Sequence, residues 1–158
     1  MSYYNSIAKG YNELHEEEQL KKLSIIKNNI KTGNNTKILD VGCGTGISSR
    51  FECSVVGVDP SVNLIKQGSN RKKVIGIAEF LPFKDKSFNY VVSITAMHNF
   101  INIKKSIGEM KRVCRRNFVF SVLKKSERFG NIKKNIEKNF RIEKSIEEDK
   151  DVIFFCRA

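Results

Sequence analysis

The stretch Lys37-Ile38-Leu39-Asp40-Val41-Gly42-Cys43-Gly44-Thr45-Gly46 constrains this chain more than any other. An apolar run passes directly into an acid and three glycines at alternate positions, the pattern of a buried strand that stops at a sharp turn. A side chain at Gly42 or Gly44 would keep a ligand off the backbone. Glycine lets main-chain N–H and C=O groups reach it and permits left-handed turn angles.

A second short apolar run, Ser54-Val55-Val56-Gly57-Val58-Asp59-Pro60, also ends in an acid. A nucleotide-binding βαβ unit places a carboxylate for both ribose hydroxyls ~20 residues beyond its turn, and Asp59 lies near that distance. Two strands, one glycine turn and one acid therefore outline an adenosine site. The Gly-x-Gly-x-Gly spacing differs from the Gly-x-Gly-x-x-Gly of dinucleotide sites, and no basic residue lies in the turn to meet a pyrophosphate.

Asp40-Val41-Gly42-Cys43-Gly44-Thr45-Gly46 resembles the first motif of class I S-adenosylmethionine-dependent methyltransferases. The resemblance implies a Rossmann-like, doubly wound, seven-stranded α/β sheet in the order 3-2-1-4-5-7-6, mostly parallel with an antiparallel C-terminal strand. It implies S-adenosylmethionine as cofactor, held by Asp40, Gly42, Cys43, Gly44, Asp59, Pro60, Ala78, Glu79, Ser93 and Met97. Tyr4 and Tyr11, in a Tyr-x-x-Ile-Ala-x-x-Tyr phrase similar to the family's N-terminal lid, would fold over its methionine end. Packing of the first helix onto the sheet is the other reading of both tyrosines. The phrase Ala78-Glu79-Phe80-Leu81-Pro82-Phe83 is similar to the family's adenine-gripping loop, with Ile77 where an Asp usually stands. Adenine would then rely on the Ala78 backbone, on Ile77 and Phe80, and on Glu79.

Apolar spacing predicts a first helix over residues 13–30 and a short helix after Gly46 that ends before Cys53. A crossover helix is expected over 61–67, strand three over 74–77 and strand four over 88–94. Then follow a helix over 103–115, strand five over 118–122, a helix carrying Ile132, Ile136 and Phe140, and a closing hairpin of 141–146 with 152–157. Thr95-Ala96-Met97-His98-Asn99-Phe100 would sit at the carboxyl end of the sheet, where open α/β folds bind ligands. It resembles a phrase of tRNA wobble-uridine methyltransferases that esterify a carboxymethyl group. His98, with an unperturbed pKa of about 6.5, suits proton removal from a nucleophile; stacking on the cofactor or capping a helix are its other readings. No Asn/Asp-Pro-Pro-Tyr/Phe motif follows strand four, which disfavours transfer to a planar exocyclic amine.

The 158 residues read as one domain, with a lid and helix over 1–31 and a catalytic core over 37–158. No apolar run approaches the ~20 residues of a membrane span and the start is polar, so a cytoplasmic location is expected. Cys43, Cys53, Cys114 and Cys156 form no C-x-x-C pair and read as small buried hydrophobes without a metal. The net charge of +12 is concentrated: residues 100–141 hold thirteen Lys/Arg against three Glu. Such a field attracts a polyanion in a salt-dependent way, although a Lys-rich composition would also yield a merely solvated basic face. Three functions stay open. They are methyl transfer to tRNA, rRNA or a translation factor, methyl transfer to a small molecule, and a catalytically silent adenosylmethionine-binding subunit. For the first, the resemblance implies a small zinc-binding activator protein that pairs with edge strand three.

Overall fold

The computed structural model describes residues 2–68 and 72–158, with side chains described from residue 16 onward. Helix α1 (Ser2–Asn29) leads into β1 (Lys37–Val41), a 3-10 turn at Ile47–Ser49, and β2 (Ser54–Asp59). Next come α2 (Val62–Lys66), β3 (Lys72–Ile75), β4 (Phe88–Ile94), a 3-10 turn at Met97–Asn99 and α3 (Ile103–Val113). The chain closes with β5 (Cys114–Leu123), α4 (Phe129–Asn139), β6 (Arg141–Glu147) and β7 (Asp151–Arg157). The strands form one seven-stranded sheet in the order β3-β2-β1-β4-β5-β7-β6, the order expected from the sequence. Strands β1 to β5 pair in parallel, and β7 runs antiparallel to both β5 and β6.

Alternate residues of the central strands feed two cores, as the period of two in a strand demands. Leu39, Val41, Val91, Phe118 and Phe120 pack under α3 and α4 on one face. Ile38, Val55, Val92, Val119 and Ile153 pack under Leu23 and Ile26 of α1 on the other. Burial on both faces explains why these strands read as continuous apolar runs. Helix α3 is amphipathic, burying Ile103, Ile107, Met110 and Val113 at helical spacing. Its N-cap Asn102 accepts from the Lys105 N–H at 3.0 Å.

Some boundaries differ from the sequence expectation. Seven residues separate Gly46 from β2, and of these Ile47–Ser49 form a single 3-10 turn in place of the expected helix. Strand β3 lies two residues earlier than expected, because pairing of Lys72 with Val56 and Ile75 with Asp59 fixes its register. The backbone then turns at Gly76 and folds back between Ile77 and Phe80. Helix α3 stops at Val113 because β5 begins at Cys114 with no loop between, drawing Arg115 and Arg116 into the sheet. Cys43, Cys114 and Cys156 are buried and Cys53 is half-buried.

Candidate active site

Strand β1 ends at the glycine turn, where all three glycines are left-handed, with φ of 80° at Gly42, 54° at Gly44 and 89° at Gly46. A β-carbon built on Gly42 would lie 2.5 Å from the Ala96 Cβ, so the turn and the exit of β4 pack with no room for a side chain. The Gly42 and Cys43 N–H groups both donate to the Val58 carbonyl, at 2.8 and 3.1 Å, tying the turn to β2. Cys43 is equally constrained, since its Sγ would be 2.6 Å from any β-carbon at Gly57. Burial pushes its thiol far above the ordinary range, and the Asp40 and Asp59 carboxylates add to the rise.

Asp59 closes the β2 side. One carboxylate oxygen accepts from Gly44 N–H at 2.9 Å and the other from Ser61 N–H at 2.8 Å. Each oxygen keeps acceptor capacity for a ligand hydroxyl. Burial raises its pKa, opposed by those two N–H donors. Asp40 is fully buried; its Oδ2 accepts from Ser48 and Ser49, whereas Oδ1 has no hydrogen-bond partner. Burial first, then the nearby Asp59 charge, lifts its pKa to about 6.

That lift has a measurable consequence. The folded pKa exceeds the unfolded value of 3.8, so the unfolded chain binds fewer protons and stability falls as pH rises from about 4 to about 6. At 1.36 kcal/mol per unit the cost above pH 6 is on the order of 2–3 kcal/mol. Thermal melts of Asp40→Asn against the native chain should show a relative gain for the variant that is larger at pH 8 than at pH 4. A gain independent of pH would contradict the assignment.

The other sequence-predicted residues divide by what their side chains touch. Ser93 is buried and donates to the Val41 carbonyl at 2.9 Å, locking β4 to β1. Ala78 and Met97 are buried in the core beside Val41, Val58 and Ala96, while Pro60 is exposed at the mouth. Glu79 bonds to the start of α3: its Oε2 accepts from the Asn102 N–H at 2.9 Å and from Ser106 Oγ at 3.2 Å. A carboxylate at the start of α3 meets the positive end of the helix dipole, so Glu79 anchors that helix. Tyr4 and Tyr11 lie on α1 with side chains outside the described residues.

His98 sits half-buried in the 3-10 turn that follows β4. Arg128 at the start of α4 donates to its carbonyl at 3.0 Å and also to the Phe100 carbonyl, pinning the backbone of the turn. Burial lowers the imidazole pKa; Asp151 opposes the shift, and Arg128 and Lys22 reinforce it. The ring is therefore neutral at neutral pH, as proton acceptance requires. Sequence reasoning missed Lys22, Asp151 and Arg128, which reach this turn from three distant elements.

Residues 39–122, more than half of the chain, match the family model of a methyltransferase domain. With the sheet order and glycine turn described above, the chain belongs to the class I methyltransferases. An uncharacterized protein of Methanocaldococcus jannaschii is 35% identical over 127 residues, covering 76% of this chain and 50% of the relative. A demethylmenaquinone methyltransferase of Renibacterium salmoninarum is 36% identical over 85 residues, covering 49% of this chain and 36% of the relative. The chain spans about half the length, or less, of these curated relatives. Among solved structures, a Haloferax volcanii chain in complex with the Trm112 methyltransferase activator superposes with a TM-score of 0.81. It is 12% identical, with 98% of this chain and 97% of that chain covered.

The residues present fit the family's cofactor. S-adenosylmethionine carries a sulfonium, an ammonium group and two ribose hydroxyls, and the site holds buried acceptors with capacity left. Asp40 Oδ1 and Thr45 Oγ1 are buried without partners, and both Asp59 oxygens retain lone pairs.

Proposed function

We propose that this chain binds S-adenosylmethionine and transfers its methyl group in line to a nucleophile on tRNA, rRNA or a translation-related macromolecule. The domain is read as 1–158, with 1–31 serving as lid and helix, 37–158 as the catalytic core, and the cytoplasm as its location. The cofactor supplies an activated methyl group. Asp59 holds the ribose, the Gly42–Gly44 backbone and Asp40 hold the methionine end, and the Ala78 backbone with Ile77 and Phe80 holds adenine. Cys43 and Pro60 border the bound cofactor, and the buried Ser93 and Met97 back it from the core side. Tyr4 and Tyr11 cover it and exclude water, and the neutral His98 imidazole accepts the nucleophile's proton. Alignment can supply effective molarities of ~10⁵ M or more, so proton transfer need contribute little.

The observation that carries the macromolecular reading is the exposed basic surface. Helices α3 and α4 pack side by side and place Lys104, Lys133, Lys134 and Lys138 on the solvent side, with Lys125 exposed in the loop that leads from β5 into α4. None of these five makes an ion pair among the described residues, which leaves them for phosphates. Binding of total tRNA should be saturable and weaken steeply between 50 and 200 mM salt, by roughly 10³-fold for about six phosphate contacts. Lys133→Glu with Lys134→Glu should reduce both affinity and salt slope. No salt-dependent binding, alone or with an activator, would overturn this reading.

A small zinc-binding activator fits the β3 edge. There Ile75 is 55% exposed beside Lys72 and Lys73, whereas the opposite edge strand, β6, carries four charges, Arg141, Glu143, Lys144 and Glu147. Open backbone groups beside exposed apolar side chains suit strand addition, and charges on an edge discourage it. The Haloferax neighbour's activator supports that partner class. The second reading, a small-molecule acceptor, is favoured by the demethylmenaquinone methyltransferase relative. Turnover on a metabolite panel without RNA or activator would select it.

A further inference from the structure

Apart from Asp40, Asp59 and Glu79, a second group of buried charges gathers where α1 meets the ends of β4 and β7. Lys22 on α1 is 1% exposed, and lysines are almost never buried unless paired. Its ammonium donates to Thr95 Oγ1 at 2.8 Å and lies 3.3 Å from Asp151 Oδ1 and 4.0 Å from Glu148 Oε1. Asp151 opens β7 and is fully buried. Its Oδ2 accepts from Thr95 Oγ1 at 2.7 Å and from Ser121 Oγ at 2.6 Å. Glu148 Oε1 accepts in turn from the Asp151 N–H at 2.7 Å.

Thr95 stands at the centre of these contacts with φ of 52°, a left-handed backbone that a β-branched residue avoids. Its N–H donates to the Ser121 carbonyl at 2.9 Å, so α1, β5 and β7 all hold it. Strain of this kind persists only where the surroundings impose it, and it concentrates at functional positions. Two consequences follow along the chain. Ala96 is pressed against Gly42 of the glycine turn, and Met97–Asn99 presents His98.

We propose that Lys22 and Asp151 are positioning residues: with Thr95 they form a buried latch that fixes the exit turn of β4 and so sets where His98 stands beside the methyl-transfer site. The latch rests on the reading of this end of the sheet as that site. The charged groups facing the imidazole are Asp151 from β7, Lys22 from α1 and Arg128 from the start of α4, with Glu148 acting through Lys22. A latch that holds this geometry gives its two charges opposite influence on His98. Asp151 favours the imidazolium and Lys22 disfavours it.

The test is NMR titration of the His98 imidazole in the intact chain, assigned with His98→Gln, in Lys22→Met and Asp151→Asn. The latch predicts that the midpoint rises in Lys22→Met and falls in Asp151→Asn. Simple loosening would move both upward toward the unperturbed value of about 6.5, and that result, or no shift in either, overturns the proposal. Should either variant fail to fold, Thr95→Gly tolerates the left-handed backbone while removing the hydroxyl. It should weaken S-adenosylmethionine binding about tenfold, the scale expected when a supporting residue is lost. Unchanged affinity together with an unchanged His98 titration would overturn the latch. Failure of the native chain to bind S-adenosylmethionine removes the methyl-transfer reading instead, while the opposed titration shifts still decide the latch.

Discussion

Replacing Gly42 with alanine should remove cofactor binding and cost the free protein stability. At φ of 80° a side chain is strained wherever it points, and the added β-carbon would meet the Ala96 Cβ at 2.5 Å. Ala96 cannot retreat, because the latched Thr95 precedes it and the buried Met97 follows. Backbone strain of this type costs about 1–3 kcal/mol, before the clash. The melting temperature should fall by roughly 5–10 °C, given 2–4 °C per kcal/mol in a domain of this size. Affinity for S-adenosylmethionine should fall by more than about 100-fold, because the clash with Ala96 displaces the turn whose backbone the ligand must meet. Calorimetry and thermal melts check the two effects separately. An alanine variant that binds normally would mean that the turn does not touch the ligand.

The second large effect is expected at Asp59. Its oxygens hold the Gly44 and Ser61 N–H groups at 2.9 and 2.8 Å, so the carboxylate fixes both loops before any ligand arrives. Hydrogen bonds to a charged acceptor contribute about 1.5–3 kcal/mol each, and two ribose hydroxyls would use the remaining lone pairs. Asp59→Ala should therefore weaken cofactor binding by about 100-fold or more. Asp59→Asn keeps one acceptor oxygen and the shape, and should retain part of the affinity.

What could be read from the sequence was local. The glycine turn and Asp59 announce themselves because strand, turn and acid lie within one short segment whose residue types are dictated by backbone angles and burial. Continuous apolar runs at β1, β2 and β4 likewise follow from burial on both faces. The β3 boundary was not legible, since its register is set by pairing with Val56 to Asp59 and not by its own residues. The contacts of Glu79 were illegible for the same reason: its partners, Asn102 and Ser106, belong to another element. The latch was the least legible of all. Lys22 and Thr95 are 73 positions apart and Thr95 and Asp151 are 56 apart, and a lysine in a charged amphipathic helix reads as solvated until the fold buries it.

The account turns on the claim that the glycine turn and Asp59 form a cofactor site. Calorimetric titration of the intact chain with S-adenosylmethionine at pH 7, beside Asp59→Ala, tests it most directly. One saturable site in the native chain, lost in the variant while its circular dichroism is retained, is the predicted result. No heat of binding to the native chain at millimolar cofactor, or equal affinity in both, would contradict it.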